Sequence, residues 1–326
     1  MNHNLSTMKV SRLLRPLEAI LDGEPRPALL LIAHRLTPTN AALLRAFRRR
    51  GVRAMLVHPE RLAAKETEAA VGLARLDVRP TLDGVEPGIV QLRRREQKGL
   101  PLLNPTDSLI ACHDKLVTAQ RLAQANVQQP QTTLVTGDGP PDHLEPPLVL
   151  KPRFGSWGQG VALCRDRREL ERRLRALAAE PWFQAHGALA QEYVESGGRD
   201  LRVIVAGGSA VGAIERRAAA GEWRTNVSLG GSRHRTVLSE EAATLAVAAA
   251  AAVDADLIGV DLLPTGSGHT VLELNGAVDF THAYSLGRDV FDVAVERLAA
   301  LAGLAGARTD EHNLLPQSLA LQPAPR

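Results

Sequence analysis

From Pro27 onward the chain alternates apolar runs with amphipathic stretches. PALLLIAHR is an apolar run of strand length, TNAALLRAFRRRGV gathers its apolar residues on one helical face before Gly51 ends it, and RAMLVHP is a second apolar run. Strand, helix, strand is how an α/β unit begins. The stretch LDVRPTLDGVEPGIVQL, with two glycines and two prolines, predicts a strand broken by loops that ends near LPLLNP, with a boundary at about Asn104.

Beyond that boundary, SLIACHDKLVTAQRLAQANV repeats apolar residues at helical spacing through Leu109, Cys112, Leu116, Ala119 and Leu122, which predicts one helix presenting Lys115 and stopped before Pro130. PPLVLKPR then reads as a strand, FGSWGQG as a loop, VALCRD as a strand and RRELERRLRALAA as a charged amphipathic helix. A third section begins near ALAQEYVE. It continues through RDLRVIVAGGSAVGAIERRA, a hairpin turning at Gly207 and Gly208, an Ala-rich helix from Ser239 to Val253, and the strands LIGVDLLP and TVLELNG. After about Gly306 the periodicity stops and a loosely packed tail is expected. The pattern predicts an α/β (α+β) protein in parts: residues 1–104 an N-terminal α/β domain, 105–190 a central lobe, 191–305 a C-terminal lobe and 306–326 a tail.

Composition narrows the class. With 44% hydrophobic and 23% charged residues over 326 positions, the chain has the apolar surface for packed cores. No apolar run reaches the roughly 18–20 residues needed to span a bilayer, and the N-terminal segment lacks an apolar h-region, so a cytoplasmic protein without a membrane partner is expected. Two cysteines, Cys112 and Cys164, exclude a disulfide framework. A net charge of +3 would suit an anionic ligand, but lysine and arginine are spread along the chain among 36 acidic residues, and aromatics make up only 3%. A nucleic-acid partner is therefore not expected.

Two groups of residues carry chemistry. In FGSWGQG, Gly155, Ser156, Gly158 and Gly160 form a loop whose backbone amides can approach a polyanion, and Lys151 stands just before it in an apolar strand, where a cation needs an anionic partner to offset desolvation. In VDLLPTGSGHTVLELNG, a hairpin centred on Ser267 sets Asp261 opposite Glu273, with Asn275 two residues on along the same face. Facing carboxylates repel unless a cation lies between them, and an all-oxygen donor set favours magnesium. Between these groups Asp200 and Arg202 share a strand face, and Arg216, Arg217, Arg224 and Asn226 follow; arginine suits phosphate because its fork donates to two oxygens at once. Cys112 and His113 are read as structural.

The ordered set DKL at Asp114–Leu116, VLKPRFGSWGQG, QEYVE, GRDLR, EWRTN, GVDLL and ELN resembles the ATP-grasp superfamily, and within it the RimK and LysX type of carboxylate-amine ligase, over about Asn104 to Leu301. The resemblance implies an ATP-grasp fold with an N-terminal pre-ATP-grasp domain, and a ligase releasing ADP and phosphate through an acyl-phosphate intermediate. It implies that Lys115 and Lys151 contact nucleotide phosphates, that Gln191, Glu192, Tyr193 and Val194 form the adenine-binding hinge, and that Asp200 and the glycine loop belong to the nucleotide site. Asp261, Glu273 and Asn275 would hold magnesium, with manganese able to replace it, while Arg202, Arg224 and Asn226 would lie near the transferring phosphate. The partners implied are ATP, a carboxylate substrate (metabolite, peptide or carrier protein) and an amino acid or other amine, in a homo-oligomer. The chain departs from the pattern after ELN, where it reads GAVDFTHAYSL, so Asp279, His282 and Tyr284 are expected to line a different acceptor site. The alternative reading is a catalytically silent nucleotide-binding regulatory or scaffold protein on the same fold.

Overall fold

The computed structural model describes residues 28–63, 69–137, 139 and 143–304, so the N-terminal segment and the tail beyond Gly306 lie outside the described residues. The opening apolar runs become β1 (Leu29–Ile32) and β2 (Ala54–Val57), with α1 (Pro38–Arg49) between them; Thr37 caps α1 by accepting from the Asn40 backbone N–H. β3 (Val71–Ala74) and β4 (Leu102–Leu103) complete a parallel sheet in the order β2-β1-β3-β4. The stretch expected to be a broken strand over residues 76–92 instead makes one isolated bridge, Val78 to Val85, and then enters α2 (Ile89–Gln97). Gly88 starts that helix with φ 122°, and its missing Cβ leaves room for Pro59, whose Cβ would lie 2.5 Å away.

The single helix expected over residues 108–127 is two, α3 (Thr106–His113) and α4 (Lys115–Gln124). Asp114 takes an extended conformation between them, and its carboxylate accepts from the backbone N–H groups of Leu116 and Val117, so one residue ends α3 and caps α4. Both helices pack on the C-terminal sheet through Ala111, Cys112 and Leu122.

The central lobe is an antiparallel sheet, order β5-β8-β6-β7, made of β5 (Thr132–Val135), β6 (Leu148–Pro152), β7 (Ala162–Cys164) and β8 (Ala188–Glu192), covered by α5 (Arg167–Leu177) and α6 (Pro181–His186). Because β8 pairs with both β5 and β6, the chain leaves this sheet only after Glu192. The C-terminal sheet has the order β11-β10-β9-β12-β13, from β9 (Arg199–Ala206), β10 (Ser209–Arg217), β11 (Ser232–His234), β12 (Leu257–Thr265) and β13 (Gly268–Asn275), backed by α7 (Glu240–Ala252) with Ser239 as its N-cap.

The last helix, α8 (Val290–Leu301), joins two of these parts. Val290, Phe291, Val295 and Leu298 are buried in one core that also holds Leu43 and Phe47 of α1, Leu29 and Leu31 of β1, and Ile204 and Leu257 of the C-terminal sheet. Burying side chains of this size contributes about 1.5–3 kcal/mol each. Asn104 pins the same junction: its side-chain amide donates to the Leu257 and Gly276 carbonyls, its Oδ1 accepts from the Asp256 and Leu257 N–H groups, and its φ of 56° is one asparagine tolerates. The central lobe has its own core around Leu148, Leu150, Leu170 and Phe183.

Candidate active site

A cleft opens between the central sheet and the C-terminal sheet. Its upper wall is built by β6 and β8. Lys151, near the end of β6, is 6% exposed, and its Nζ donates to Gln191 Oε1 at 2.8 Å; Gln191 in turn donates to Thr132 Oγ1 at 2.9 Å. Burial, with Lys115 adding like charge, pulls the Lys151 ammonium down to about 8, partly opposed by Glu273. Where the chain leaves β8, Glu192, Tyr193 and Val194 line the cleft, and the Tyr193 ring meets Trp223 edge-on with centroids 5.8 Å apart.

Lys115 is the first residue of α4, which the Asp114 cap aims at the cleft; its Nζ donates to the Gly155 carbonyl at 2.5 Å and lies 3.4 Å from Glu273 Oε1. The glycine loop closes over this point and touches the opposite wall. Arg224 donates from Nη1 to the carbonyls of Gly158 and Val161, both at 3.2 Å, and Ser228 donates to the Trp157 carbonyl. Gly158 has φ 75°, and a Cβ there would lie 2.9 Å from Asn226 Oδ1, so the contact needs glycine. Arg224 is fixed by a fork onto Glu222, whose carboxyl is held down at about 2 by hydrogen bonds from the Arg224 side chain and backbone.

The lower wall contains the hairpin of β12 and β13. Asp261 does pair with Glu273, although the turn sits between Thr265 and Gly268 rather than on Ser267. A bulge restores the register: Leu262 pairs with Val271 and Asp261 with Glu273, leaving Leu272 as the extra residue. Asp261 does not reach across to Glu273 as a bare carboxylate. Arg202 donates to it through Nε and Nη2, both at 2.7 Å, and Arg216 Nη2 donates to Oδ2 at 2.7 Å. Burial opposes its charge, but the two guanidiniums outweigh burial and hold the Asp261 carboxyl well below the usual range. Arg216 also forks onto Asp200, which accepts from Thr225 Oγ1 as well, and burial raises the Asp200 carboxyl. Asn275 accepts from the Ala277 N–H at 3.2 Å.

Lys115, Lys151, Gly155, Ser156 and Gly158 therefore meet Gln191, Glu192, Tyr193 and Val194 around one cleft, joined by Arg224, Asn226 and Glu273. Gly160, Asp200, Arg202, Asp261 and Asn275 do not line it; Asp200, Arg202 and Asp261 form the ion-pair layer of the C-terminal sheet. Among the described residues no three His, Cys, Asp or Glu side chains are grouped to hold a metal. Of the three residues expected to hold magnesium, Glu273 lines the cleft beside Lys115; Asp261 pairs with it across the strands but takes three guanidinium hydrogen bonds, and Asn275 lies two residues further along β13. Sequence reasoning missed Trp223 and Thr225, whose only signal was their position beside Arg224, and the apolar wall of Val149, Leu263 and Leu272. Of the residues expected in an acceptor site, Tyr284 is core, 1% exposed against Phe280, because the turn it sits in docks on β10 through the Gly212–Ser285 bridge; His282 is paired with Asp289.

An antiparallel central lobe and an antiparallel C-terminal sheet gripping a lysine-lined cleft, behind a parallel N-terminal sheet, define the ATP-grasp fold. The structure aligns with a RimK domain ATP-grasp protein from Sphaerobacter thermophilus at TM-score 0.61 and 21% identity, covering 83% of this chain and 98% of that one. It aligns with an ATP complex of D-alanine–D-alanine ligase from Bacillus anthracis at TM-score 0.60 and 17% identity, covering 86% and 100%. The RimK-like ATP-grasp domain model matches residues 112–296, and the chain belongs to that family. It is 31% identical over 229 residues to a probable alpha-L-glutamate ligase of Pseudomonas aeruginosa, covering 68% of this chain and 75% of the relative. It is 32% identical to the tetrahydromethanopterin:alpha-L-glutamate ligase of Methanosarcina acetivorans, covering 62% and 68%. The protein is an ATP-grasp carboxylate-amine ligase. No helix among the described residues is long and apolar enough to cross a membrane.

Proposed function

We propose that the chain uses ATP and magnesium to phosphorylate a substrate carboxylate and then joins the acyl group to the amine of an amino acid. The observation that carries this reading is Lys151: a buried ammonium whose hydrogen-bond partner is the neutral Gln191 amide, facing a cleft shared with Lys115. A phosphate in the cleft would supply the missing countercharge.

In this reading Glu192 and Val194 receive the adenine and Lys151 and Lys115 hold the phosphates; magnesium would be held at Glu273 with Asn275, and with Asp261 if its guanidinium bonds are exchanged, and would supply charge neutralisation. A carboxylate oxygen of the substrate attacks the γ-phosphorus and ADP leaves. The amine nitrogen then attacks the acyl carbon, phosphate departs with the former carboxylate oxygen, and the nitrogen loses a proton. Arg224 ties the glycine loop over the cleft, which keeps water from the acyl phosphate, and Asn226 lines the cleft beside Gly158 of that loop.

The test is ADP release from ATP and magnesium with pools of amino acids and pools of acidic metabolites or peptides. Release that requires both pools is expected. Binding of ATP without any release would leave a nucleotide-binding regulatory protein instead, and release with neither pool would leave an ATPase.

A further inference from the structure

The two lysines that converge on the cleft arrive from different parts of the fold. Lys151 belongs to β6 of the central lobe, whereas Lys115 opens α4, which packs with α3 on the C-terminal sheet through Ala111, Cys112 and Leu122. Each ammonium repels the other, and the charge of Lys115 adds to the burial that lowers Lys151. Something other than the lysines themselves has to hold them in register.

That hold lies one residue before Lys115 and two residues after Lys151. Arg153 donates to Asp114 through a fork, from Nε to Oδ1 at 2.7 Å and from Nη2 to Oδ2 at 2.6 Å. The Lys115 backbone N–H donates to the Arg153 carbonyl at 3.1 Å. Asp114 Oδ1 accepts from the next two N–H groups, those of Leu116 and Val117, and the Thr118 N–H reaches the Asp114 carbonyl at 2.8 Å. The four backbone donors that an α-helix leaves open at its start are thus all satisfied here, by Asp114 and Arg153 alone. A helix start ordinarily attracts anions, but this one is filled by a carboxylate, and the residue of α4 that lines the cleft is Lys115.

The pair is well shielded. The Asp114 side chain is 5% exposed and that of Arg153 25%, and a forked ion pair is both stronger and more exacting in geometry than a single contact. On the central-lobe side the Arg153 guanidinium lies over the Phe154 ring, 5.7 Å from its centroid, and that ring meets His186 of α6 edge-on at 5.2 Å. Phe154 begins the glycine loop, and the next carbonyl along, that of Gly155, accepts from Lys115 Nζ. The backbone between Lys151 and Gly155 is therefore tied to the start of α4 at Arg153 by both side chain and carbonyl.

We propose that Asp114 and Arg153 are positioning residues for nucleotide binding: their fork sets Lys115 Nζ and the start of the glycine loop at the spacing from Lys151 at which both ammoniums meet one polyphosphate. Neither residue lines the cleft, so both act through Lys115 and the loop. The proposal rests on Lys115 meeting phosphate, which a Lys115 variant tests by itself. Positioning and plain electrostatics predict opposite signs at Asp114. Serine in its place keeps a good helix cap but removes a negative charge near the phosphates and cannot reach the fork. Charge alone would then make ATP bind more tightly, whereas loss of position makes it bind more weakly.

The experiment is calorimetric titration of the full chain with ATP and magnesium, for the natural sequence, Lys115→Met, Arg153→Met, Asp114→Ser and the double variant of Lys115→Met with Arg153→Met. Lys115→Met is expected to weaken ATP by about tenfold, and Arg153→Met and Asp114→Ser by about fivefold each. On the Lys115→Met background Arg153→Met should add less than about twofold, because nothing is left for it to position. A merely structural role would lower the melting temperature without nucleotide and leave this coupling absent. Arg153 is partly exposed, so its variants decide the coupling even where Asp114→Ser fails to fold. Unchanged or tighter ATP binding by folded Asp114→Ser, unchanged binding by Arg153→Met, or full and independent weakening in the double variant would overturn the proposal while leaving the role of Lys115 intact. Unchanged affinity in Lys115→Met would reject the phosphate role of Lys115 and the positioning role with it.

Discussion

Arg202 and Asp261 stand opposite one another on β9 and β12 and are joined by two hydrogen bonds of 2.7 Å, with Asp261 taking a third from Arg216. The pair is buried, so removing one partner leaves uncompensated charge. Asp261→Asn is expected to destabilise the protein by about 3–5 kcal/mol and to abolish ADP release. Because the folded Asp261 carboxyl lies below its ordinary value of 3.8, its contribution is fully present above that value and is lost only as pH falls beneath it. The difference in urea midpoint between the natural sequence and Asp261→Asn should therefore be constant from about pH 5 to pH 8; a difference that shrank within that window would refute the ion-pair assignment.

Lys151 gives the opposite dependence. Its ammonium, pulled down to about 8 by burial, must be protonated to meet phosphate, so ATP binding is expected to weaken as pH rises through that value. Calorimetric titration at pH 7 and pH 9.5 should show proton uptake with binding at the higher pH. Lys151→Met should weaken ATP at pH 7 by about 1.5–3 kcal/mol and remove the proton uptake.

At Gly158 a side chain meets Asn226 and the backbone is left-handed. Gly158→Ala is expected to cost about 1–2 kcal/mol in loop closure. The readout is the ratio of ADP released to amide formed: an open loop admits water, so the ratio should rise above one while the melting temperature stays near that of the natural sequence.

Phe291 lies in the core shared by α1, α8 and the C-terminal sheet, stacked on Phe280 with centroids 4.7 Å apart. Phe291→Ala is expected to cost about 3–5 kcal/mol in chemical denaturation, with unfolding of the N-terminal sheet and the C-terminal lobe remaining a single transition.

Lys151 was legible in the sequence because a cation in an apolar strand beside a glycine-rich loop is a local signal, whereas Lys115 was singled out by the family resemblance, and the two do line one cleft. The pairing of Asp261 with Glu273 was legible for a less direct reason. Counting back from a turn at Ser267 reaches the pair, whereas the real turn lies half a residue earlier and the bulge at Leu272 supplies the difference. What could not be read was long-range. That Arg202 and Arg216 would converge on Asp261 depends on the strand order β10-β9-β12, which joins residues 45 to 59 positions apart. The break at Asp114 was hidden because apolar residues keep helical spacing on both sides of it, while the reason for the break, a bidentate partner in Arg153, lies 39 residues away. β3 escaped because VGLA is only four residues long, and α8 because its apolar face is complementary to α1, some 240 positions earlier.

The core common to the N-terminal sheet, α8 and the C-terminal sheet makes the molecule mechanically lopsided. Two of its three parts share one core and form an anvil, and the central lobe, with a core of its own, is the hammer. The Asp261–Glu273 pair belongs to the anvil, whereas Lys151 and the glycine loop ride on the hammer, so the two walls of the cleft are built on cores that can be perturbed separately.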